Sequence, residues 1–170
     1  MYPANLFGLF PPFPREEKVF VAMSFDPRFD NRWRDVIAPA IRHVSVNGTP
    51  LEPVRVDMRR VSDSILTEIL TGITNSRLIF ADVTTIGVLD GRPVHNGNVL
   101  YEVGIAHAVR LPEEVILFRS DNDPLLFDMA NVRVNFYQPE EALEESRGTV
   151  SDTIVAAIRE IDLRKHLAVK

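Results

Sequence analysis

The sequence of 170 residues contains no cysteine. This absence excludes disulfide bonds, thiolate catalysis and zinc–thiolate sites. It also fits a reducing compartment, so we expect a cytoplasmic protein. No apolar run approaches the ~18 residues that a membrane-spanning helix needs, and we therefore expect no membrane partner.

An excess of basic residues is also lacking. The chain has 19 Lys and Arg residues against 24 Asp and Glu residues, which gives a net charge of −5. Duplex nucleic acid is bound by a cationic surface that neutralises phosphates. The composition therefore predicts that duplex nucleic acid is not a partner.

Several motifs that carry well-known chemistry are missing. No G-x-G-x-x-G follows an apolar run, and the sequence has no G-K-[ST] phosphate loop, no pair of histidines at metal-ligand spacing and no G-x-S-x-G elbow. We therefore predict no metal site, no resident cofactor and no serine hydrolase. A nucleotide can still be held by helix N-termini and loop amides without these motifs.

What is present is the composition of a globular domain, with 45% hydrophobic residues. Residues 1–17 are apolar and interrupted by prolines, which predicts an extended N-terminal arm rather than a targeting signal. The arm is expected to pack on its own domain or on a second subunit, and the second case makes the protein a homo-oligomer. Residues 18–170 are predicted to form one domain.

Short apolar runs alternate with amphipathic helical patterns along this domain. Five strands are predicted, at residues 18–23, 51–57, 78–81, 115–118 and 132–137. Such alternation is typical of a parallel sheet with right-handed crossovers. We therefore predict a doubly wound, flavodoxin-like (Rossmannoid) α/β fold with a five-stranded, mostly parallel sheet and helices on both faces.

A helix predicted over residues 98–111 carries the most unusual feature of the sequence. It is apolar almost all the way round, which predicts burial on all sides, yet it contains Glu102. Asn98 is the expected N-cap, which places Glu102 near the helix start. There the helix dipole favours an anion while burial opposes ionisation. We interpret Glu102 as the reactive group.

Three further acids follow predicted strands, Asp26 after the first, Asp57 after the second and Asp82 after the third. Ligands of open parallel sheets bind outside the carboxyl ends of the strands, so these acids and Glu102 are expected to line one crevice. The alternative for each aspartate is a role as a turn or capping residue.

Two more features lie at the same predicted edge. Ser24, Arg28 and Arg32 are expected at the end of the first strand, where they can meet a phosphate, Arg28 first among them; the alternative is a surface arginine. Residues 84–97 are predicted to form a long, functional loop between the third strand and the helix of Glu102.

Three segments together resemble a known family. They are residues 19–25 (VFVAMSF), 81–84 (ADVT) and 98–108 (NVLYEVGIAHA), and the pattern Asn-x-x-Tyr-Glu-x-Gly-x-Ala-His-Ala in the third is the most specific. They resemble the nucleoside 2-deoxyribosyltransferase-like group, which belongs with the TIR-like proteins in a wider Rossmannoid set. The similarity covers residues 18–137.

The resemblance implies cleavage of the N-glycosidic bond of a nucleoside, a nucleotide or a related molecule. It gives Glu102 the role of nucleophile or stabiliser of the sugar cation, and Asp82 a contact with sugar or base. Tyr101 would orient Glu102 or pack beside it. The predicted catalytic residues are thus Glu102 and Asp82, and the predicted substrate-binding residues are Ser24, Phe25, Arg28, Asp57, Asn98 and Tyr101.

Three functions are consistent with these observations. The first is an enzyme that hydrolyses or transfers at the N-glycosidic bond of a nucleoside monophosphate, a deoxynucleoside or NAD. The second is a nucleotide-binding sensor or effector module of the same fold without turnover, as in bacterial defence signalling. The third is an assembly domain that oligomerises through its N-terminal arm.

Overall fold

Five parallel strands form one sheet in the computed structural model, which describes residues 15–56, 65–126, 129 and 131–168, with no side chains given beyond residue 164. The strands are β1 (Glu16–Ala22), β2 (Glu52–Val54), β3 (Ser76–Asp82), β4 (Val115–Arg119) and β5 (Val134–Phe136). Their spatial order is β2-β1-β3-β4-β5, the doubly wound order of flavodoxin-like folds. The predicted fold class is confirmed.

Within the described residues, four helices cover the two faces of this sheet. They are α1 (Ala38–His43), α2 (Ile65–Asn75), α3 (Gly97–Val109) and α4 (Leu143–Ala168). Side chains alternate along each strand, so Val19 and Val21 pack with α1 and α4 in one core. Phe20 and Ala22 pack with α2 and α3 in the other core.

A π-helical turn, Arg32–Ile37, leads directly into α1. Pro39 lies in the first turn of α1 and has no N–H to donate to the backbone oxygen of Asp35, which accepts from Arg147 Nε instead. The helix changes from π to α geometry just before Pro39. The π turn matters for the site, because it carries Arg32.

The segment predicted as a loop over residues 84–97 contains a β-hairpin instead. Its strands are Gly87–Leu89 and Arg92–Val94, joined by Asp90 and Gly91 at φ values of 49° and 74°. Positive φ at both positions is what a two-residue hairpin turn of type I′ requires, and Asp-Gly is a favoured pair for it. The prediction of an irregular loop was wrong here, and the Asp-Gly pair was the overlooked signal.

Other predicted boundaries also shift. The strand predicted at residues 51–57 begins at Glu52, a short hairpin, Ser45–Val46 with Thr49–Pro50, precedes it, and the last helix begins at Leu143. The predicted arm falls outside the described residues as far as residue 14, and the domain boundaries stay a prediction. No helix within the described ranges is both long enough and apolar enough to cross a membrane.

A buried arginine fixes α3 against its neighbours at the amino edge of the sheet. The Arg110 guanidinium forms an ion pair of 2.8 Å with Glu114 and donates hydrogen bonds to the backbone oxygens of Ile73, Ser76 and Arg77. These carbonyls belong to the end of α2 and the start of β3. One side chain thus ties α2, α3 and β3 together. These contacts fix the position of α3, and with it the position of Glu102, relative to the sheet.

Gly72 provides a test of how closely α2 packs on the sheet. A Cβ atom at this position would lie 2.3 Å from Cδ2 of the buried Phe20 ring. We expect Gly72→Ala to lower the free energy of unfolding by roughly 1–3 kcal/mol, as overpacking does. Gly148→Ala in α4 is the control, because its Cβ would meet nothing within 4 Å. It should be neutral or slightly stabilising in urea unfolding. Equal stability of the two variants would contradict the close approach of α2.

Candidate functional site

Asp82, the last residue of β3, is only 5% exposed, and both of its carboxylate oxygens are occupied. Oδ2 accepts hydrogen bonds from the Tyr137 hydroxyl at 2.7 Å and from Arg32 Nη1 at 3.2 Å. Oδ1 accepts from the backbone N–H of Thr84 at 3.1 Å and from the Thr84 hydroxyl. Asp82 is therefore fully paired within the protein.

Arg32 joins this aspartate to two other elements. Its Nη1 also donates to the Thr84 hydroxyl at 3.1 Å, its Nε pairs with Glu140, and its guanidinium lies 4.5 Å from the centroid of the Phe29 ring. Burial lowers the pKa of Arg32, but Asp82, Tyr137 and Glu140 together outweigh this and raise it. The guanidinium stays charged, as a buried carboxylate requires of its partner.

Tyr137 completes what we call the Asp82 network (Asp82, Arg32, Thr84, Tyr137 and Glu140). Burial, reinforced by the charge of Asp82, raises the pKa of the Tyr137 hydroxyl well above its usual value. The phenol therefore stays protonated and donates to Asp82. The network links the ends of β3 and β5 to the π turn before α1.

The helix that carries Glu102 starts two residues earlier than predicted. Asn96 is its N-cap, and the side-chain oxygen accepts hydrogen bonds from the backbone N–H groups of Asn98 at 3.0 Å and Val99 at 3.3 Å. Glu102 therefore lies in the second turn, beyond the range in which the helix dipole acts strongly. Burial raises the pKa of Glu102 to about 7, so it outweighs the dipole.

Glu102 lies beside the buried stripe of α3, not within it. The fully buried residues of this helix are Val99, Val103 and Ala106. Tyr101 is 58% exposed, so the prediction of a helix buried on all sides was wrong. Glu102 is partly buried, on the flank it shares with Ile105 and Val109. Within the described part of the chain, no hydrogen bond or ion pair is made by its carboxylate.

The two predicted catalytic carboxylates lie on opposite faces of the sheet. Asp82 points, like Phe80, to the face of α1 and α4, where Arg32 and Tyr137 meet it. Glu102 belongs to α3, which covers the other face. The two acids therefore lie on different faces at this edge of the sheet, and Asp82 has protein partners whereas Glu102 has none among the described residues.

Asp26 is a helix-capping residue, which was the alternative to a place in the crevice. It caps the short helical turn Pro27–Phe29 and accepts hydrogen bonds from Arg28 at the backbone N–H, Nε and Nη2. These bonds lower the pKa of Asp26 to about 2. Arg28 also donates to the backbone oxygen of Ile86 at 2.8 Å, which holds it against the hairpin. Ser24 accepts from the backbone N–H of Asp26 at 3.2 Å.

Phe25 belongs to a stack that sequence reasoning missed. The Arg55 guanidinium lies 5.1 Å from the ring centroids of both Phe25 and Trp33, and Phe25 is 50% exposed. Cation–π contacts of this kind hold an arginine and an aromatic ring in fixed positions. Asn98 is exposed at the start of α3, whereas Asp57 lies outside the described residues.

A second missed cluster follows β4. Arg119 pairs with Asp121, and Thr85 donates hydrogen bonds of 2.8 Å to Asp121 from its backbone N–H and to Asp123 from its hydroxyl. These contacts tie the loop after β3 to the loop after β4. In the parts of the chain that the structure covers, no group of three or more His, Asp or Glu side chains could hold a metal ion.

Comparison with known proteins gives the fold and no family. Neither protein-family models nor curated proteins match the sequence. The flavodiiron core of Flv1 from Synechocystis sp. PCC6803 matches with a TM-score of 0.54 and 15% identity over 84% of this chain, which spans 36% of that protein. A prokaryotic SEFIR domain matches with a TM-score of 0.52 and 12% identity, over 81% of this chain and 91% of that domain.

At these identities the shared property is the fold. The predicted placement among TIR-like folds is confirmed at that level by the SEFIR domain. The finer resemblance, to nucleoside 2-deoxyribosyltransferases, stays a prediction.

Removal of one charge from the Asp82 network should be strongly destabilising. We expect Asp82→Asn to lower the free energy of unfolding by about 3 kcal/mol or more, because it leaves Arg32 buried without its partner. Asp26→Asn is the matched control, since it breaks an exposed pair. Its urea midpoint should stay close to that of the wild type. Equal midpoints for the two variants would rule out a structural role for the Asp82 network.

Glu102 should instead weaken the fold at neutral and high pH. Its pKa rises from 4.5 in the unfolded chain to about 7, so stability falls as pH increases between these values. We expect Glu102→Gln to raise the free energy of unfolding by roughly 1 kcal/mol at pH 8, since partial exposure reduces the full effect. At pH 4 the two proteins should unfold alike. A difference that is the same at both pH values would contradict a raised pKa.

Proposed function

We propose that this protein hydrolyses or transfers at the N-glycosidic bond of a nucleotide-like substrate, with Glu102 at the reacting centre. The observation that carries the proposal is the state of Glu102, a partly buried carboxylate without a partner among the described residues, on the helix that follows β3. Buried acids are normally paired, and perturbed, unpaired ones concentrate at functional sites.

The chemistry gives such a carboxylate a task. Cleavage of the bond between the sugar C1′ and the base nitrogen develops positive charge on the sugar. An ionised carboxylate beside C1′ stabilises that charge or forms a glycosyl–enzyme intermediate, as in retaining glycoside hydrolysis. The sugar cation would then be the partner that Glu102 lacks in the free protein.

The other proposed residues divide into contacts and supports. Phe25, Asn98 and Tyr101 are exposed and free to meet a substrate, and Arg28 presents an exposed guanidinium at the carboxyl edge. Asp82 is better suited to a supporting role than to contact with the sugar, because its oxygens already accept four hydrogen bonds from protein groups.

The occupancy of Asp82 also favours a second function. With Asp82 paired on the opposite face, this aspartate is not beside Glu102 to protonate the leaving base. A nucleotide-binding sensor or effector module without turnover needs no such acid. This is the alternative that the experiment must separate from catalysis.

The test measures base release by chromatography from NAD, nucleoside monophosphates and deoxynucleosides. We expect Glu102→Gln to slow release by at least roughly 100-fold. Glu160→Gln, an exposed glutamate of α4, is the control and should leave the rate unchanged. The wild-type rate should rise with pH through about 7, because the ionised form of Glu102 reacts.

Two outcomes would contradict this assignment. Thermal-shift binding of a nucleotide without base release would favour the sensor module. Base release that survives Glu102→Gln would move the reaction to another residue.

A further inference from the structure

A cavity of 310 Å³ lies at the carboxyl ends of β4 and β5, against the first turns of α4. Small-molecule sites usually start near this volume. Its lining includes Ser120, Asn122, Phe136, Gln138 and Glu145. None of these five residues belongs to the proposed site around Glu102, and the Asp82 network contributes Tyr137 to the lining.

Phe136 forms a fixed aromatic platform at this cavity. The ring belongs to the last residue of the edge strand β5 and is 57% exposed. The Arg119 guanidinium lies 5.7 Å from the ring centroid and is itself almost completely buried. Arg119 is held in turn by Asp121 and by the backbone oxygen of Asp123. A buried cation thus supports the ring from the protein side and leaves its other side to solvent.

Two amide side chains accompany this platform. Asn122 and Gln138 line the cavity and are exposed, and no side-chain hydrogen bond of either is found among the described residues. An amide presents a donor and an acceptor side by side in one plane. Glu145 adds an exposed carboxylate, which in its ionised form accepts hydrogen bonds and cannot donate them.

We propose that this cavity binds a purine base of the adenine type, stacked on Phe136 and paired by Asn122 or Gln138. Asparagine and glutamine amides match the adjacent acceptor and donor of adenine, N7 and the N6 amino group. Aromatic side chains stack on the faces of bases. Among the described residues no lysine or arginine lines the cavity, and Glu145 repels anions, so the cavity suits a neutral base rather than a phosphate.

This inference goes beyond the proposed function, because the cavity adjoins α4 on one face of the sheet whereas Glu102 lies on α3 over the other face. It does not require turnover at Glu102. Base release and base binding are separate measurements, so the failure of one proposal leaves the other to be decided by its own experiment.

Isothermal titration calorimetry with adenosine, cytidine and ribose tests the proposal on the full chain. We expect adenosine to bind at least fivefold more tightly than cytidine, with ribose showing no binding. Phe136→Ala should weaken adenosine binding at least tenfold, and Phe136→Tyr should restore it because stacking is kept. Leu163→Ala, an exposed apolar residue elsewhere on α4, is the control and should bind as the wild type does.

Three results would overturn the proposal. Equal affinities for ribose and adenosine would assign the cavity to a sugar. Adenosine binding that is unchanged in Phe136→Ala would exclude stacking on this ring. The third result is the absence of adenosine binding at millimolar concentration. Retention of adenosine binding in Glu102→Gln, together with its loss in Phe136→Ala, would support a base site that acts independently of the reacting carboxylate.

Discussion

The buried ion pair between Asp82 and Arg32 is the constraint on which the carboxyl edge of the sheet depends. Both side chains are almost completely buried, and either charge alone would be strongly unfavourable there. Arg32 reaches Asp82 because the π turn before α1 presents it to the sheet, and Tyr137 reaches it from the end of β5. The pair therefore holds the π turn against the end of β3. It also leaves the carboxylate of Asp82, which the sequence predicted to be catalytic, fully engaged by protein groups.

The fold was predictable because its central strands are encoded locally. β1, β3 and β4 each contain an uninterrupted apolar run that is buried on both faces, and such runs alternating with helices admit few topologies. The edge strands β2 and β5 have only three residues each and mixed burial, so the sequence pattern overestimates their length. The hairpin before α3 depends on the two turn residues Asp90 and Gly91, which adopt positive φ. A count of glycines over the whole segment does not reveal this pair.

The site divides in the same way into local and long-range parts. Glu102 stands out in the sequence because a carboxylate in an apolar helix is unusual wherever the helix packs. The partners of Asp82 do not stand out, because Arg32 and Tyr137 are 50 and 55 residues away and only the folded sheet brings them together. The N-cap is Asn96 and not Asn98, so Glu102 lies one half-turn further from the helix start than predicted, and burial is what shifts its pKa.

Asp82 and Glu102 show how one fold gives two carboxylates opposite properties. The first has its charge compensated by an arginine and several hydrogen bonds, which makes it a structural group. The second is desolvated without compensation, and a chain selected for stability alone would replace it by an amide or an apolar residue. The unfavourable free energy of its charge is offset only when a positive charge arrives. In the proposed reaction that charge arises on the sugar as the glycosidic bond breaks, so the carboxylate is stabilised most in the transition state, as catalysis requires.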